Sequence, residues 1–120
     1  ALERIEEIRD SDAGGMAHAC ELETSIYLAV DPDAVDMEKA LDERGFPAGD
    51  YSYMEWSDGP MRVMPWWSAF SVTGIQGDAS KGTAEKGEAF LDAAVEECLG
   101  FVRDLLAKPL PVRGEPRETL

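Results

Sequence analysis

The residues with the clearest chemical potential lie near the start of the chain, where His18 is followed by Glu21 and Glu23. His18 is the only histidine in the sequence. An imidazole beside a carboxylate is what a divalent metal site or a proton-transfer step needs. The two glutamates are two positions apart on a predicted helix, so they point in different directions and only one faces the same site as His18.

Other interpretations of the same segment stay open. A helix start attracts acidic side chains through its dipole, so either glutamate is also compatible with a solvated surface position. Cys20 lies two residues from His18 and suggests a Cys–His nucleophile with a lowered thiol pKa, against the simpler interpretation of a buried, inert cysteine. Trp66 and Trp67 are candidates for an aromatic wall over a small planar substrate, or for core or interface contacts.

Two helices are predicted in the first third of the chain. Leu2, Ile5 and Ile8 recur at intervals of three, which predicts an amphipathic helix over residues 1–10. A chain that begins on such a helix without an initiator Met suggests a continuation upstream. A second helix is predicted from about Ala19 to Val30, ended by the Asp-Pro-Asp turn that follows.

The middle of the chain is irregular. Frequent glycine and proline predict a long loop over residues 43–65, which also carries Trp56. Such loops in compact domains are usually functional or lie against a partner. The alternation of Phe70 and Val72 with small polar residues predicts a strand over residues 68–74.

The longest predicted element is a helix from about Thr83 to Ala107, with Thr83 as its N-cap and two prolines after its end. Residues 113–120 are polar and are predicted to form a flexible tail, which leaves 1–112 as the folded portion. One face of the helix is expected to be apolar. Its members are Gly87, Leu91, Ala94, Val95, Cys98, Val102 and Leu105.

Composition excludes several classes of protein. A chain of 120 residues forms about one small domain, and a net charge of −14 opposes binding to nucleic acid, which needs a basic face. No apolar run approaches the ~20 residues that a membrane-spanning helix requires. Cys20 and Cys98 lack a metal or redox spacing, so we expect reduced thiols in a cytoplasmic protein.

Two segments resemble one known family. The run HACELETSIYLAVDPDAVDM is similar to the HAGExETSxML motif, Pro-containing turn and V-D-M-like segment of the creatininase (creatinine amidohydrolase) family. The run GIQGDASKGTAEKGEAFLDAAVEE resembles that family's closing G-V-x-G-D-P-x-x-A-T-x-E-K-G motif and last helix. The resemblance covers residues 14–36 and 70–105, in the family's order, and identifies the chain as the C-terminal part of the family's fold.

The resemblance implies an α/β fold with a mostly parallel sheet flanked by helices, and assembly into homo- or hetero-oligomers. It implies metal-dependent hydrolysis of a C–N bond in a small cyclic amide or formamide. His18 would be the catalytic histidine, Glu23 a ligand of the metal or of its water, and Trp66, Trp67 and Gly77 substrate-binding residues. For Gly77, an ordinary turn between a strand and a helix is the alternative. The cofactor would be a divalent metal, two ions of zinc, manganese or iron.

The chain departs from the family in two ways. Cys20 replaces the small residue usual after His-Ala, and Ala79 replaces a frequent proline. More importantly, the family's Glu-x-His pair, its Asp and its Asn-Gly-His-Gly-like segment are absent. The missing ligands would come from the N-terminal half of the fold or a partner chain. Two rivals remain, namely a family member acting on a sugar-derived or lactone-like substrate and a non-catalytic subunit that packs against an active partner.

Overall fold

The computed structural model describes residues 1–46 and 66–109. These residues form three α-helices and three short strands, as the sequence predicts for an α/β fold. The predicted tail at 113–120, the boundary at 112, Trp56 and most of the predicted loop over 43–65 lie outside the described residues. The elements are α1 (Leu2–Ile8), β1 (Met16–His18), α2 (Glu21–Val30), β2 (Asp42–Glu43), β3 (Gln76–Asp78) and α3 (Ala84–Ala107).

The three strands form one small sheet with β3 at its centre, in the order β1-β3-β2. Both pairs are antiparallel, with Met16 opposite Gly77 and Asp42 opposite Asp78. The mostly parallel sheet implied by the family resemblance is therefore not found among the described residues. The sheet nevertheless brings the end of β1, which carries His18, against a strand far away in the sequence.

The prediction of a strand over residues 68–74 is wrong. Residues Trp67–Ala69 form a 3₁₀ turn, and the strand comes later, at β3. Phe70 is buried, as the alternation suggested, but Val72 is 95% exposed and does not pack against a sheet. Gly74 has a φ of +96°, and its N–H donates to the Ser71 hydroxyl, which folds this segment into a tight turn before β3 begins.

Helices α2 and α3 pack closely because Gly87 has no side chain. A Cβ at this position would lie 1.9 Å from the carbonyl oxygen of Ser25. The Ser25 hydroxyl accepts a hydrogen bond from the Thr83 N–H at 3.1 Å, and the Thr83 hydroxyl accepts one from the Lys86 N–H at 3.2 Å. Thr83 is thus the N-cap of α3, which confirms the sequence prediction.

The core lies between the helices and the sheet. Its buried apolar residues are Ile5, Met16, Cys20 and Phe90, with Leu22 and Ile26 packed against them. These residues come from α1, β1, α2 and α3, so the core holds the loop-to-helix junction after His18 against the rest of the fold. No helix in the described ranges is long and apolar enough to cross a membrane.

The apolar face predicted on α3 is mostly exposed. At the start of the helix Gly87 is buried and Leu91 half-buried, but the residues from Ala94 onward are exposed. The side chains that α3 does bury include Phe90 and Ala93, outside the predicted face. The reason is length, since the 10 residues of α2 span about 15 Å and the 24 residues of α3 about 36 Å. The second half of α3 therefore extends beyond its partner helix.

Candidate functional site

His18 is the last residue of β1, and its side chain is exposed. The next residue, Ala19, has a φ of +48°, a left-handed conformation that is uncommon for a residue with a Cβ. This conformation turns the chain from β1 into α2, of which Cys20 is the N-cap. The imidazole consequently stands at the mouth of a sharp strand-to-helix junction.

Glu23 reaches back to this junction. Its carboxylate accepts a hydrogen bond from the Ala19 N–H. A glutamate in the first turn that bonds backwards to an N–H preceding the helix resembles a capping box, in which such a carboxylate satisfies a free donor of the helix start. The bond fixes the Glu23 carboxylate close to the backbone that follows His18.

The two side chains share one cleft of about 410 Å³. This volume lies within the ~300–1,000 Å³ typical of small-molecule sites. The structure thus places the predicted catalytic histidine and the predicted metal-binding glutamate together. The cleft is lined by His18, Ala19, Glu23, Thr24, Tyr27, Ala34, Val35 and Asp36.

Glu21 points away from the cleft and is fully buried. Its carboxylate accepts hydrogen bonds from the N–H groups of Asp10 (2.9 Å) and Ser11 (2.8 Å) and from the Lys86 ammonium (2.7 Å). Burial would raise the pKa of Glu21, but the bonds from Lys86, Ser11 and Asp10 outweigh it and hold the pKa below its usual value. The two glutamates therefore diverge as predicted, and Glu21 has a structural role.

Of the two predicted tryptophans, Trp67 lies against the site. Its ring centroid is 4.8 Å from that of His18, at an interplanar angle of 76°, in the edge-on arrangement that aromatic rings prefer. The Trp67 side chain is half-buried, whereas Trp66 is 87% exposed. The geometry places Trp67, and not Trp66, where it could restrain the imidazole.

Gly77 lies in the central strand and is buried. A Cβ there would be 2.5 Å from the Gly15 carbonyl oxygen and 2.9 Å from the Cys20 Cβ, and its φ is +133°. Close backbone packing therefore accounts for a glycine at this position. Substrate binding by Gly77 stays a prediction.

The two cysteines are both free thiols, as the sequence predicts. Cys20 is buried, and burial raises the pKa of its thiol even though N–H groups of the helix start act in the opposite direction. A raised pKa disfavours the reactive thiolate. The structure thus supports an inert Cys20 over a Cys–His nucleophile.

Four residues of the cleft were not singled out from the sequence, namely Tyr27, Ala34, Val35 and Asp36. The V-D-M segment contains two of them, so the signal was present in the motif. The Asp36 carboxylate lies 2.7 Å from the Lys39 ammonium, whose hydrogen bond and charge lower the pKa of Asp36. Thr24 also lines the cleft and lies close to Gly82.

A complete metal site is not formed by the described residues, which contain no group of three or more His, Cys, Asp or Glu side chains close enough to hold an ion. Glu23 fits such a site as a single carboxylate ligand, and Asp36, which lines the same cleft, forms an ion pair with Lys39. Any further ligands would have to come from outside ranges 1–46 and 66–109.

Two comparisons with known proteins found matches to this chain. A family model described as creatininase, creatinine amidohydrolase, matches residues 2–102. The structure also resembles a solved mutant creatininase with a TM-score of 0.51 and 26% sequence identity. That match covers 73% of this chain and 31% of the solved chain, so this chain spans less than a third of that protein's length. A search of curated proteins found no match.

Proposed function

Because the chain belongs to the creatininase (creatinine amidohydrolase) family, we propose that it contributes one side of the active site of a metal-dependent amidohydrolase. The bond cleaved is a carbon–nitrogen bond of a small cyclic amide or formamide. Family membership supports a hydrolase, and the observation that carries the proposal is the shared position of His18 and Glu23 in one cleft of small-molecule size.

His18 acts in this proposal as the proton-transfer residue. Its imidazole is exposed at the cleft, and Trp67 contacts one side of the ring. An imidazole is the side chain that most often transfers protons in enzymes, and the departing nitrogen of an amide needs such a proton. The general contribution of such a positioned acid or base is about 10²–10⁴-fold in rate.

Glu23 supplies one carboxylate toward a divalent metal or its water, and the Ala19 N–H holds that carboxylate in place. When bound, the metal supplies Lewis-acid polarisation of the substrate carbonyl. The family is generally metal-dependent, and the metal that we propose is a pair of zinc, manganese or iron ions. With one ligand from this chain, the remaining ligands are proposed to come from the N-terminal half of the fold or from a partner chain.

The exposed apolar surface of α3 supports a partner of this kind. One side of α3 carries apolar residues at alternating intervals of four and three positions, which is the spacing of a helix face. Leu91 on this face is half-buried, and the others are exposed, namely Val95, Cys98, Val102 and Leu105. Leu99 and Leu106, 45% and 79% exposed, widen this face. A broad uncharged helix face on a chain of net charge −14 is a surface to be covered by another apolar surface. We propose that this face of α3 packs against the part of the family fold that this chain does not contain.

The test is reconstitution. The chain would be co-expressed with a polypeptide that carries the family's Glu-x-His and Asn-Gly-His motifs, and the purified assembly would be assayed for bound divalent metal and for hydrolysis of cyclic amides, formamides and lactones. We expect His18→Ala to lower kcat by about 10²-fold or more with metal retained. We expect Glu23→Gln to lower the metal content. Near-zero metal together with full activity in His18→Ala would overturn the proposal.

A second candidate is a non-catalytic subunit that packs through α3 against an active partner. It is favoured by the lack of a complete metal-ligand group in the part of the chain that the structure describes. In that case the reconstituted assembly would bind metal and hydrolyse substrate equally well with His18→Ala and Glu23→Gln. Substitutions on the apolar face of α3 would still weaken the assembly.

A further inference from the structure

The turn that follows Trp67 is held by one carboxylate from a different strand. Glu43 lies in β2, and its carboxylate accepts hydrogen bonds from the Val72 N–H at 2.7 Å and from the Thr73 N–H at 3.1 Å. It also accepts a bond from the Thr73 hydroxyl, and the Ser71 hydroxyl lies 3.2 Å from the same carboxylate. Four donors from three consecutive residues thus converge on a single side chain.

This arrangement favours the ionised carboxylate. The hydrogen bonds from the Thr73 hydroxyl and the Val72 N–H hold the pKa of Glu43 below its usual value, with further contributions from Thr73 N–H and Ser71. A charged acceptor makes shorter and stronger hydrogen bonds than a neutral one. Residues 71–73 are therefore tied to β2 by bonds that a neutral side chain of similar shape would not reproduce.

The backbone after Glu43 holds the same segment. A Cβ on Gly45 would lie 1.8 Å from the Phe70 carbonyl oxygen, so the two backbones are in direct contact. The rings of Phe46 and Phe70 are 5.5 Å apart at 86°, and those of Phe70 and Trp67 are 4.9 Å apart at 58°. A continuous row of aromatic rings therefore runs from Phe46 through Phe70 and Trp67 to His18.

From these contacts we infer that Glu43 is a positioning residue, which anchors the turn at 71–73 and thereby holds the Trp67 ring against the imidazole of His18. The inference rests on the proposed function of His18 for its catalytic meaning, but the contact itself does not depend on activity. An imidazole restrained on one side by an indole presents the other side to the cleft. Glu43 acts on this geometry through Trp67 and does not touch the cleft itself.

The experiment uses the fact that His18 is the only histidine. Its imidazole gives a single set of NMR resonances, which carry a ring-current shift from Trp67. The variant Trp67→Leu gives the chemical shifts of His18 in the absence of the indole ring. In Glu43→Gln, which keeps the shape and removes the charge, we expect the His18 resonances to move toward the Trp67→Leu values. Glu38→Gln, which removes an exposed carboxylate from the preceding segment, serves as the matched control and is expected to leave them unchanged.

A second variant distinguishes the loss of the Glu43 contacts from a general loss of stability. Ala93→Gly weakens α3 at a buried position away from this turn, so it lowers the denaturation midpoint without touching residues 67–73. His18 resonances that move in Glu43→Gln but stay fixed in Ala93→Gly support the positioning role. Unchanged resonances in Glu43→Gln overturn it. If instead the resonances move but His18→Ala leaves the reconstituted activity intact, the proposed function fails and the positioning role stands.

Discussion

The Glu21 carboxylate lies 2.7 Å from the Lys86 ammonium, 65 positions further along the chain. Asp10 also contacts this ammonium, at 2.5 Å. The three side chains join the loop after α1, the first turn of α2 and the first turn of α3. A buried charge of this kind is costly unless its partners are kept, so the fold depends on all three elements being in register.

Replacing Glu21 with Gln is expected to destabilise the chain by about 3 kcal/mol, toward the lower end of the cost of breaking a buried ion pair, because Asp10 stays beside Lys86. Glu23→Gln is the matched control, two positions away on the same helix but exposed. We expect it to change stability by about 0.5 kcal/mol or less. Urea denaturation of the two variants measures the difference, and equal midpoints would contradict the role given to Glu21.

The same ion pair predicts a dependence of stability on pH. The folded-state pKa of Glu21 is lowered, so its stabilisation is fully present above the unfolded glutamate pKa of about 4.3 and is lost as the pH falls through the folded-state value. The free energy of unfolding of the parent chain should therefore approach that of Glu21→Gln as the pH falls from about 5 toward 3. A gap between the two chains that stays constant over this range would show that Glu21 does not titrate as described.

Two glycines of α3 are predicted to respond in opposite directions to alanine. A Cβ at Gly100 has nothing within 4 Å, so Gly100→Ala should stabilise the chain by about 0.5–1 kcal/mol through helix propensity alone. A Cβ at Gly87 would lie 1.9 Å from the Ser25 carbonyl oxygen, so Gly87→Ala should destabilise it by about 1–3 kcal/mol or more. Thermal denaturation followed by circular dichroism distinguishes them. A loss of stability in Gly100→Ala would mean that this part of α3 is packed against something.

The exposed face of α3 is predicted to matter for assembly and not for the folding of this chain. The double variant Leu99→Gln and Leu106→Gln keeps good helix formers, so its stability should stay within about 0.5 kcal/mol of the parent. Phe90→Ala, in the buried half of the same helix, should cost about 3–5 kcal/mol. Size-exclusion chromatography of the co-expressed assembly should show weakened association for the double variant and not for Glu96→Gln. Equal association of both variants would exclude this face as the interface.

The sequence predicts the helices well because their signals are local. The capping hydroxyl of Thr83 and the periodic apolar residues of α3 lie within a few positions of each other. The strand β3 has no such signal, since its sequence Gln-Gly-Asp lacks the branched or aromatic residues typical of strands and its partners come from distant segments. The Phe70–Val72 alternation resembled a strand, but the bonds to Glu43 fold it into a turn.

The candidate site was predictable in part for the same reason. His18 and Glu23 are close in sequence and share a motif, and the structure brings both into one cleft. The choice between Glu21 and Glu23 also came from the motif, and the structure gives its physical basis, since Glu21 is committed to Lys86. No local sequence pattern indicates the role of Glu43, because the groups that its carboxylate binds lie 28 to 30 positions away.

The long-range contacts around His18 also determine when the cleft can form during synthesis. Thr83, which bonds to Ser25, is translated 58 positions after it, and Lys86, which bonds to Glu21, is translated 65 positions after it. At ribosomal rates of about 5–20 residues per second, β1 and α2 leave the ribosome roughly 3 to 13 seconds before the segments that fix them. The residues nearest to the proposed chemistry are thus translated before α3, and they gain these two contacts only after α3 has begun to emerge.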